Sequence, residues 1–202
     1  MKMKFLVVLA ALITLSLAAS IRDEPSFCHG LDCPKYTVTR KIDDYEERQY
    51  EPSKWVGTTI TSDSYSQATE EGFKKLFDYI EGANKDGIKI PMASPVAVKI
   101  VPLPQGQSNY TVLFFVPFAY QSNTSIPTDP TLSIASLPAL TAYVGQFGGY
   151  MSDKVEQEET TKLKNAMTKY GVQFVQQYSF AAGYDPPFRV IGRHNEVWLI
   201  GA

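Results

Sequence analysis

Between residues 66 and 82 the apolar positions Ala68, Gly72, Phe73, Leu76, Phe77 and Ile80 recur at three- and four-residue intervals, the period of one helix face. Gly82 stands where such a helix stops. A second helix is predicted over 152–170, with Ser152 or Asp153 as N-cap, Glu158 and Lys162 four residues apart, and Gly171 at its end. The remaining periodic stretches read as strands. Residues 36–42 alternate weakly. Residues 45–61 set Trp55, Val56 and Ile60 among threonines, with Pro52 marking a bulge or an edge. Residues 88–101 and 110–118 form two more strands, joined by a Pro/Gly turn, and 132–146, 172–184 and 196–200 complete the set. The polar, Pro-bearing stretch 117–130 is expected to be a long surface loop.

Each half of the chain thus runs strands, helix, two strands. The expected fold class is α+β: a curved antiparallel sheet, or distorted β-barrel, with two helices and pseudo-duplicated strand-helix-strand-strand units. An ordinary α+β domain whose order repeats by chance is the plainer alternative. The periodic region, 36–202, reads as one domain, and no low-complexity tract interrupts it.

The first twenty residues have another character. Lys2 and Lys4 precede an apolar run from Phe5 to Leu17, and Ala18-Ala19-Ser20 supplies small residues for cleavage after Ser20. This is the pattern of a signal peptide over 1–20, and it predicts export. An uncleaved anchor is disfavoured, because the run falls short of the roughly 20 apolar residues a spanning helix needs and a polar, Pro-broken segment follows. No later stretch is long and apolar enough to span a bilayer. Removal of 1–20 leaves 182 residues, enough for a real core. It also makes the chain, already at −2, more acidic by two lysines. That balance argues against a nucleic-acid partner, which needs a clustered positive footprint.

Export sets the redox context of the only two cysteines, Cys28 and Cys33. A local disulfide is expected, pinning the N-terminal segment 21–35 and little else, because so short a loop restrains little of the unfolded chain. A metal site on these cysteines and His29 lacks two further ligands. The sequons at Asn109 and Asn123 are expected glycosylation sites, the second in the polar loop and the first at the opening of a strand.

Enzymatic chemistry finds little footing. His29 and His194 are the only histidines, and there is no nucleophile elbow, phosphate loop, dinucleotide fingerprint or His-Glu-x-x-His. The carboxylate clusters Asp43-Asp44, Glu46-Glu47 and Glu156, Glu158, Glu159 read as solvated faces. What remains is the aromatic helix face at Phe73 and Phe77, which serves either core packing or an apolar groove.

Several motifs in combination resemble the SOUL/heme-binding-protein family: Tyr45-Glu46-Glu47-Arg48, Lys54-Trp55-Val56, Lys89-Ile90-Pro91-Met92 with Ser94-Pro95-Val96, Gln146-Phe147-Gly148-Gly149-Tyr150, and Gly183-Tyr184-Asp185-Pro186-Pro187 leading to Asn195-Glu196-Val197-Trp198. The resemblance covers about 36–200. It implies a monomeric distorted barrel that binds heme or metal-free porphyrin in a shallow apolar site, without turnover. By that resemblance the ligand lies between the first helix and the loop before the last strand. The contacts then fall on Phe73, Phe77 and Phe188, with Arg189 facing a propionate. Two positions where one branch of the family is basic are Glu70 and Asp78 here, so Lys74 or Lys75 would have to substitute. A position where another branch has a candidate axial histidine is Gln49, which does not ligate iron. Two other readings stay open: an interaction protein that has kept the scaffold and lost the ligand, and a binder or hydrolase of another small amphipathic molecule.

Overall fold

The computed structural model describes residues 25–202, so the expected leader lies outside the described residues. In chain order the elements are β1 (Tyr36–Ile42), β2 (Tyr45–Tyr50), β3 (Ser53–Ser62), α1 (Tyr65–Ile80), β4 (Val96–Pro102), β5 (Ser108–Phe115), β6 (Ser133–Leu137), β7 (Leu140–Phe147), α2 (Asp153–Lys169), β8 (Ser179–Gly183) and β9 (Asn195–Ile200). The nine strands form one antiparallel sheet in the order β1-β2-β7-β9-β8-β4-β5-β3-β6.

Prolines decide where the strands divide. The stretch expected as one strand over 45–61 is two, because Pro52 has no N–H for the ladder and the chain changes partners there. β2 pairs with β1 and β7, whereas β3 pairs with β5 and β6. Pro138 likewise splits 132–146 into β6 and β7. The strand expected from residue 88 begins only at Val96, after Pro91 and Pro95, and Ile90 N–H instead donates to the Ile80 carbonyl at the end of α1. β8 begins at Ser179 rather than 172, with a single bridge from Phe174 to Gly201 before it.

The expected duplication is written into the topology. Exchanging β2 with β6, β3 with β7, β4 with β8 and β5 with β9 reads the strand order from β2 to β6 backwards unchanged. Each unit lends its first strand to the other: β2 joins β7, and β6 joins β3. The two units meet at the β4/β8 pair, where Val98 lies opposite Ala181. The sheet is not closed into a barrel, since β1 and β6 are its two edges and pair with different strands.

Both helices lie on one face of the sheet. Directly opposed residues of antiparallel strands point to the same side, and the row Val98, Ala181, Val197 runs from beneath α1 to beneath α2. Ser64 caps α1 by accepting from Gln67 N–H at 3.2 Å, and Ser152 caps α2 by accepting from Val155 N–H at 3.3 Å. Asp153, the first residue of α2, reaches the N-terminus of α1 as well, accepting from Tyr65 N–H at 2.6 Å and Ser66 N–H at 3.3 Å. Burial acts to raise its carboxyl, but hydrogen bonds from Ser66, Ser64 and the α1 backbone outweigh it and hold it below the ordinary value. The expected Glu158 to Lys162 pair does not form: Glu158 pairs with Lys154 and Lys162 with Glu159.

The opposite face carries Trp55, Leu113, Phe115, Phe180 and Trp198. Cys28 and Cys33 are joined as a disulfide, Cα atoms 6.2 Å apart, and both are buried in this cluster. The described part of the N-terminal segment is thus part of the core rather than a pinned appendage. The loop 117–130 is likewise tied down: Gln121 bonds the backbone of Lys54 and Val116, and Ser125 bonds Asn84 and Asp86.

Gly72 places α1 closest to the sheet. A Cβ there would stand 2.5 Å from Val112 Cγ2 and 3.3 Å from Thr58 Cγ2. Helix propensity alone would make Gly72→Ala stabilising by about 1 kcal/mol. Packing reverses the sign: denaturant unfolding is expected to show a loss of about 1–3 kcal/mol from overpacking.

Candidate functional site

The helix face that buries Ala68, Gly72, Leu76 and Ile80 does not bury its aromatic neighbours. Phe73 is 36% and Phe77 44% exposed. Their rings lie nearly parallel at 15°, centroids 5.9 Å apart, and Phe73 meets Phe114 of β5 edge-on at 5.2 Å. The pair is therefore half anchored and half presented. On the same helix Lys74 donates to Glu70 at 2.7 Å, with both side chains 70% exposed. An exposed pair of this kind is worth about 0–1 kcal/mol and is readily exchanged for another anion. Lys75 pairs with Glu71 in the same way.

The loop between β8 and β9 is built around Asp185 and Arg193. The buried Asp185 carboxylate accepts from His29 Nε2 at 2.8 Å and His194 N–H at 2.6 Å, and forms an ion pair with Arg189, whose Nε lies 3.0 Å away. The Arg193 guanidinium donates to the carbonyls of Gly149, Pro186, Arg189 and Asp185 and lies over the ring of Tyr150 at 4.3 Å. Phe188 projects from this loop into solvent. Arg189, expected to face an acidic ligand group, is half engaged by Asp185 and also donates to the Ile191 carbonyl at 3.2 Å. The structure thus pairs Phe73 with Phe77 directly, and sets Phe188 and Arg189 on a separate, braced loop. The stretch 149–153 connects the two: Gly149 accepts from Arg193, Met151 packs against the α1 core cluster, and Asp153 caps α1.

Beneath the loop, on the face without helices, lies a buried charge network. Arg48 has no solvent access and donates to Glu196 Oε1 at 2.9 Å, to Glu46 Oε2 at 2.8 and 3.0 Å, and to Tyr50 at 3.1 Å. Glu196 also accepts from His194 at 2.9 Å, Tyr184 at 2.8 Å and Trp198 Nε1 at 2.7 Å. Tyr36 lies over the guanidinium at 4.2 Å, and Phe27 stacks on His194 with centroids 3.8 Å apart. Burial would raise the Glu196 carboxyl, yet the hydrogen bond from His194 and the Arg48 charge hold it below the ordinary value. Glu46 is likewise lowered, with Lys41 and Arg48 outweighing burial. Burial drives the Tyr50 and Tyr184 hydroxyls well above theirs, and Tyr36 to about 12.

This network corrects the reading of Glu46 as part of a solvated face, and Glu156 is buried as well, bonded to Thr160 at 2.9 Å. The signal was available. Glu46, Arg48 and Tyr50 alternate, as do Tyr184 before the turn and Glu196 and Trp198 after it, so each set shares one face of its strand. Asp185 and Tyr150 stood only as members of motifs and Arg193 was not singled out, because nothing in their spacing shows that 149 and 193 are adjacent. Both histidines are engaged by carboxylates, and Gln49 is exposed on β2, accepting from Thr141 at 2.9 Å.

The chain as a whole is similar to known proteins. The model of the SOUL heme-binding protein family matches residues 31–200. This chain belongs to that family. It is 33% identical to heme-binding protein 2 of Mus musculus over 183 residues, covering 88% of this chain and 89% of that protein. It is 34% identical to heme-binding protein 1 of Xenopus laevis over 158 residues, covering 77% and 83%. Among solved structures, the EcmrR C-terminal domain is similar at a TM-score of 0.51 and 10% identity, covering 82% of this chain and 96% of that one. A hydrolase from Listeria innocua is similar at 0.51 and 8%, covering 80% and 93%. Such low identities speak for the fold alone. Family membership suggests a ligand-binding rather than a catalytic role, and heme or a related tetrapyrrole as the ligand.

Removing Arg48 leaves Glu196 buried beside no cation. Arg48→Met is expected to cost about 3–5 kcal/mol in chemical unfolding, whereas Lys74→Met changes stability by less than about 1 kcal/mol. The carboxyls of Glu46 and Glu196 have lowered folded values, so their stabilisation is complete above the unfolded carboxyl range. It is lost as pH falls through the folded values. Thermal midpoints are therefore expected to drop as pH is lowered below about 4, and to drop less steeply in Glu46→Gln.

Proposed function

We propose that this protein is an exported, non-enzymatic tetrapyrrole binder. It holds heme or metal-free porphyrin by the face of the macrocycle against Phe73 and Phe77, with Phe188 and Arg189 on the far side and Lys74 at the rim. The observation that carries this reading is the exposed, parallel Phe73 and Phe77 pair on a helix whose other apolar residues are buried, in a chain of a heme-binding family. Two phenyl rings held nearly parallel offer a flat apolar surface suited to a macrocycle. Burying a few hundred Å² of it yields roughly 5–10 kcal/mol gross at about 25 cal/mol/Å², before the costs of association. Rim charges contribute about 0–1 kcal/mol each, so Glu70 and Asp78 weaken binding without abolishing it. The two histidines, already held by Asp185 and Glu196, favour binding without an axial ligand.

Titration with hemin and with protoporphyrin, followed by the Soret band, tests this reading. Saturable one-to-one binding of both is expected, with Phe77→Asp lowering affinity at least about tenfold, the loss of roughly 1.4 kcal/mol of apolar contact. Phe77 is half exposed, so the fold is expected to survive the change. Equal affinity of the variant and the parent would remove the helix face from the site. Absence of saturable binding by the parent would favour the interaction protein, the reading that Glu70, Asp78 and Gln49 support.

Export carries its own test. Asn123 is exposed in the loop before β6, while the Asn109 side chain accepts from Thr61 at 2.7 Å on the central strand β5. Protein made through a secretory pathway is expected to carry a glycan on Asn123, seen as a mobility shift on enzymatic deglycosylation that Asn123→Gln diminishes.

A further inference from the structure

The loop between β8 and β9 presents three large apolar side chains that the protein itself does not cover. Phe188 is 83%, Val190 72% and Ile191 86% exposed. They form the most exposed apolar group among the described residues. Contiguous exposed apolar surface of this kind marks a contact with something outside the molecule.

Much of the loop's base is satisfied from within. The carbonyls of Asp185, Pro186 and Arg189 accept from Arg193, that of Pro187 from Tyr150, and that of Ile191 from Arg189. Pro186 and Pro187 have no N–H to satisfy, and Arg189 N–H donates to Pro186. An ordinary surface loop leaves such groups to water, and entry into an apolar medium then carries a large desolvation cost. Here five of the carbonyls are already paired, which lowers the cost of seating the loop in an interface. The charges follow the same pattern. Asp185 is buried and matched by Arg189 and His29, whereas the Arg193 donors go to carbonyls, and no carboxylate among the described residues forms an ion pair with it. Tyr150, half exposed beneath Arg193, has the ring and hydroxyl that settle at the level of lipid headgroups.

We infer that this loop is a membrane-contact element, which seats Val190, Ile191 and Phe188 in the interface of a phospholipid bilayer with Arg193 at the headgroup level. An apolar tip projecting from a braced base suits a deformable lipid surface, and the uncompensated cation favours anionic headgroups. The inference shares Phe188 with the porphyrin reading but goes beyond it, since that reading uses neither Val190 nor Ile191, the residues on which the test acts.

The test is co-sedimentation of the purified protein with vesicles of phosphatidylcholine alone and of phosphatidylcholine with about 30% phosphatidylserine, a content chosen to set a negative surface potential. The protein is expected to bind the mixed vesicles more strongly. Val190→Ser with Ile191→Ser is expected to lower partitioning at least about tenfold, the scale set by withdrawing two partly buried aliphatic side chains. A second measurement places a probe at the tip. Trp55 and Trp198 are buried, so Ile191→Trp is expected to give a blue-shifted emission on adding vesicles, quenched by brominated acyl chains. Failure of the parent protein to bind either vesicle overturns the inference, as does equal partitioning of the parent and the double serine variant. Lipid-free self-association that the same variant abolishes would assign the tip to a second copy of the chain instead.

Discussion

Arg48 and Glu196 meet in the interior 2.9 Å apart, 148 residues apart in sequence, neither with solvent access. Removing two such charges from water costs several kcal/mol per ion, and only a full set of partners compensates. The partners come from opposite ends of the chain. Glu46 and Tyr50 come from β2, Tyr184 and His194 from the two ends of the braced loop, and Trp198 from β9. Phe27 closes the network by stacking on His194, and the disulfide beside it holds that N-terminal segment in the core. The network is more a register lock than a source of net stability: a wrong strand pairing would bury one of these charges alone.

The exchange of strands between the two units explains why the lock is needed. β2 leaves its own unit to pair with β7, and β6 leaves its own to pair with β3. Hydrophobic alternation cannot choose between a strand of one unit and the equivalent strand of the other, because both have the same period. The pairing of Glu46 with Arg48 on β2, and of Arg48 with Glu196 across β7, is specific where the apolar pattern is degenerate.

The same network fixes the base of the loop between β8 and β9. The turn between β8 and β9 starts at Tyr184 and Asp185, whose side chains are fixed by Glu196, His29 and His194 N–H. A loop clamped at its base and cross-linked by Arg193 can present Phe188, Val190 and Ile191 to solvent without collapsing onto the protein. The Phe73 and Phe77 pair has a different support: Gly72 and Leu76 seat α1 on the sheet, and the two rings lie at the margin of that contact, Phe73 against Phe114. Both exposed apolar features follow from rigid supports rather than from loose segments.

The sequence by itself determined much that is local. Three- and four-residue spacing located both helices to within a residue or two, and Ser152 and Gly82 marked their ends, because capping and helical period are set by neighbours along the chain. The repeated element order was legible, and so was the α+β class. The motifs pointed to the family without disclosing that Tyr45-Glu46-Glu47-Arg48 and Asn195-Glu196-Val197-Trp198 serve one buried network. Phe73 and Phe77 were legible as an aromatic pair, but their exposure was not, since period shows that residues share a face and not how wide that face is. Only the tertiary structure decided that β2 and β6 change units and that the sheet stays open. It alone decided that Glu46 is buried and that Arg193 belongs to the backbone of its own loop. Each of these depends on which residues distant in the chain become neighbours, and the burial of a charge is decided by the partner it finds there.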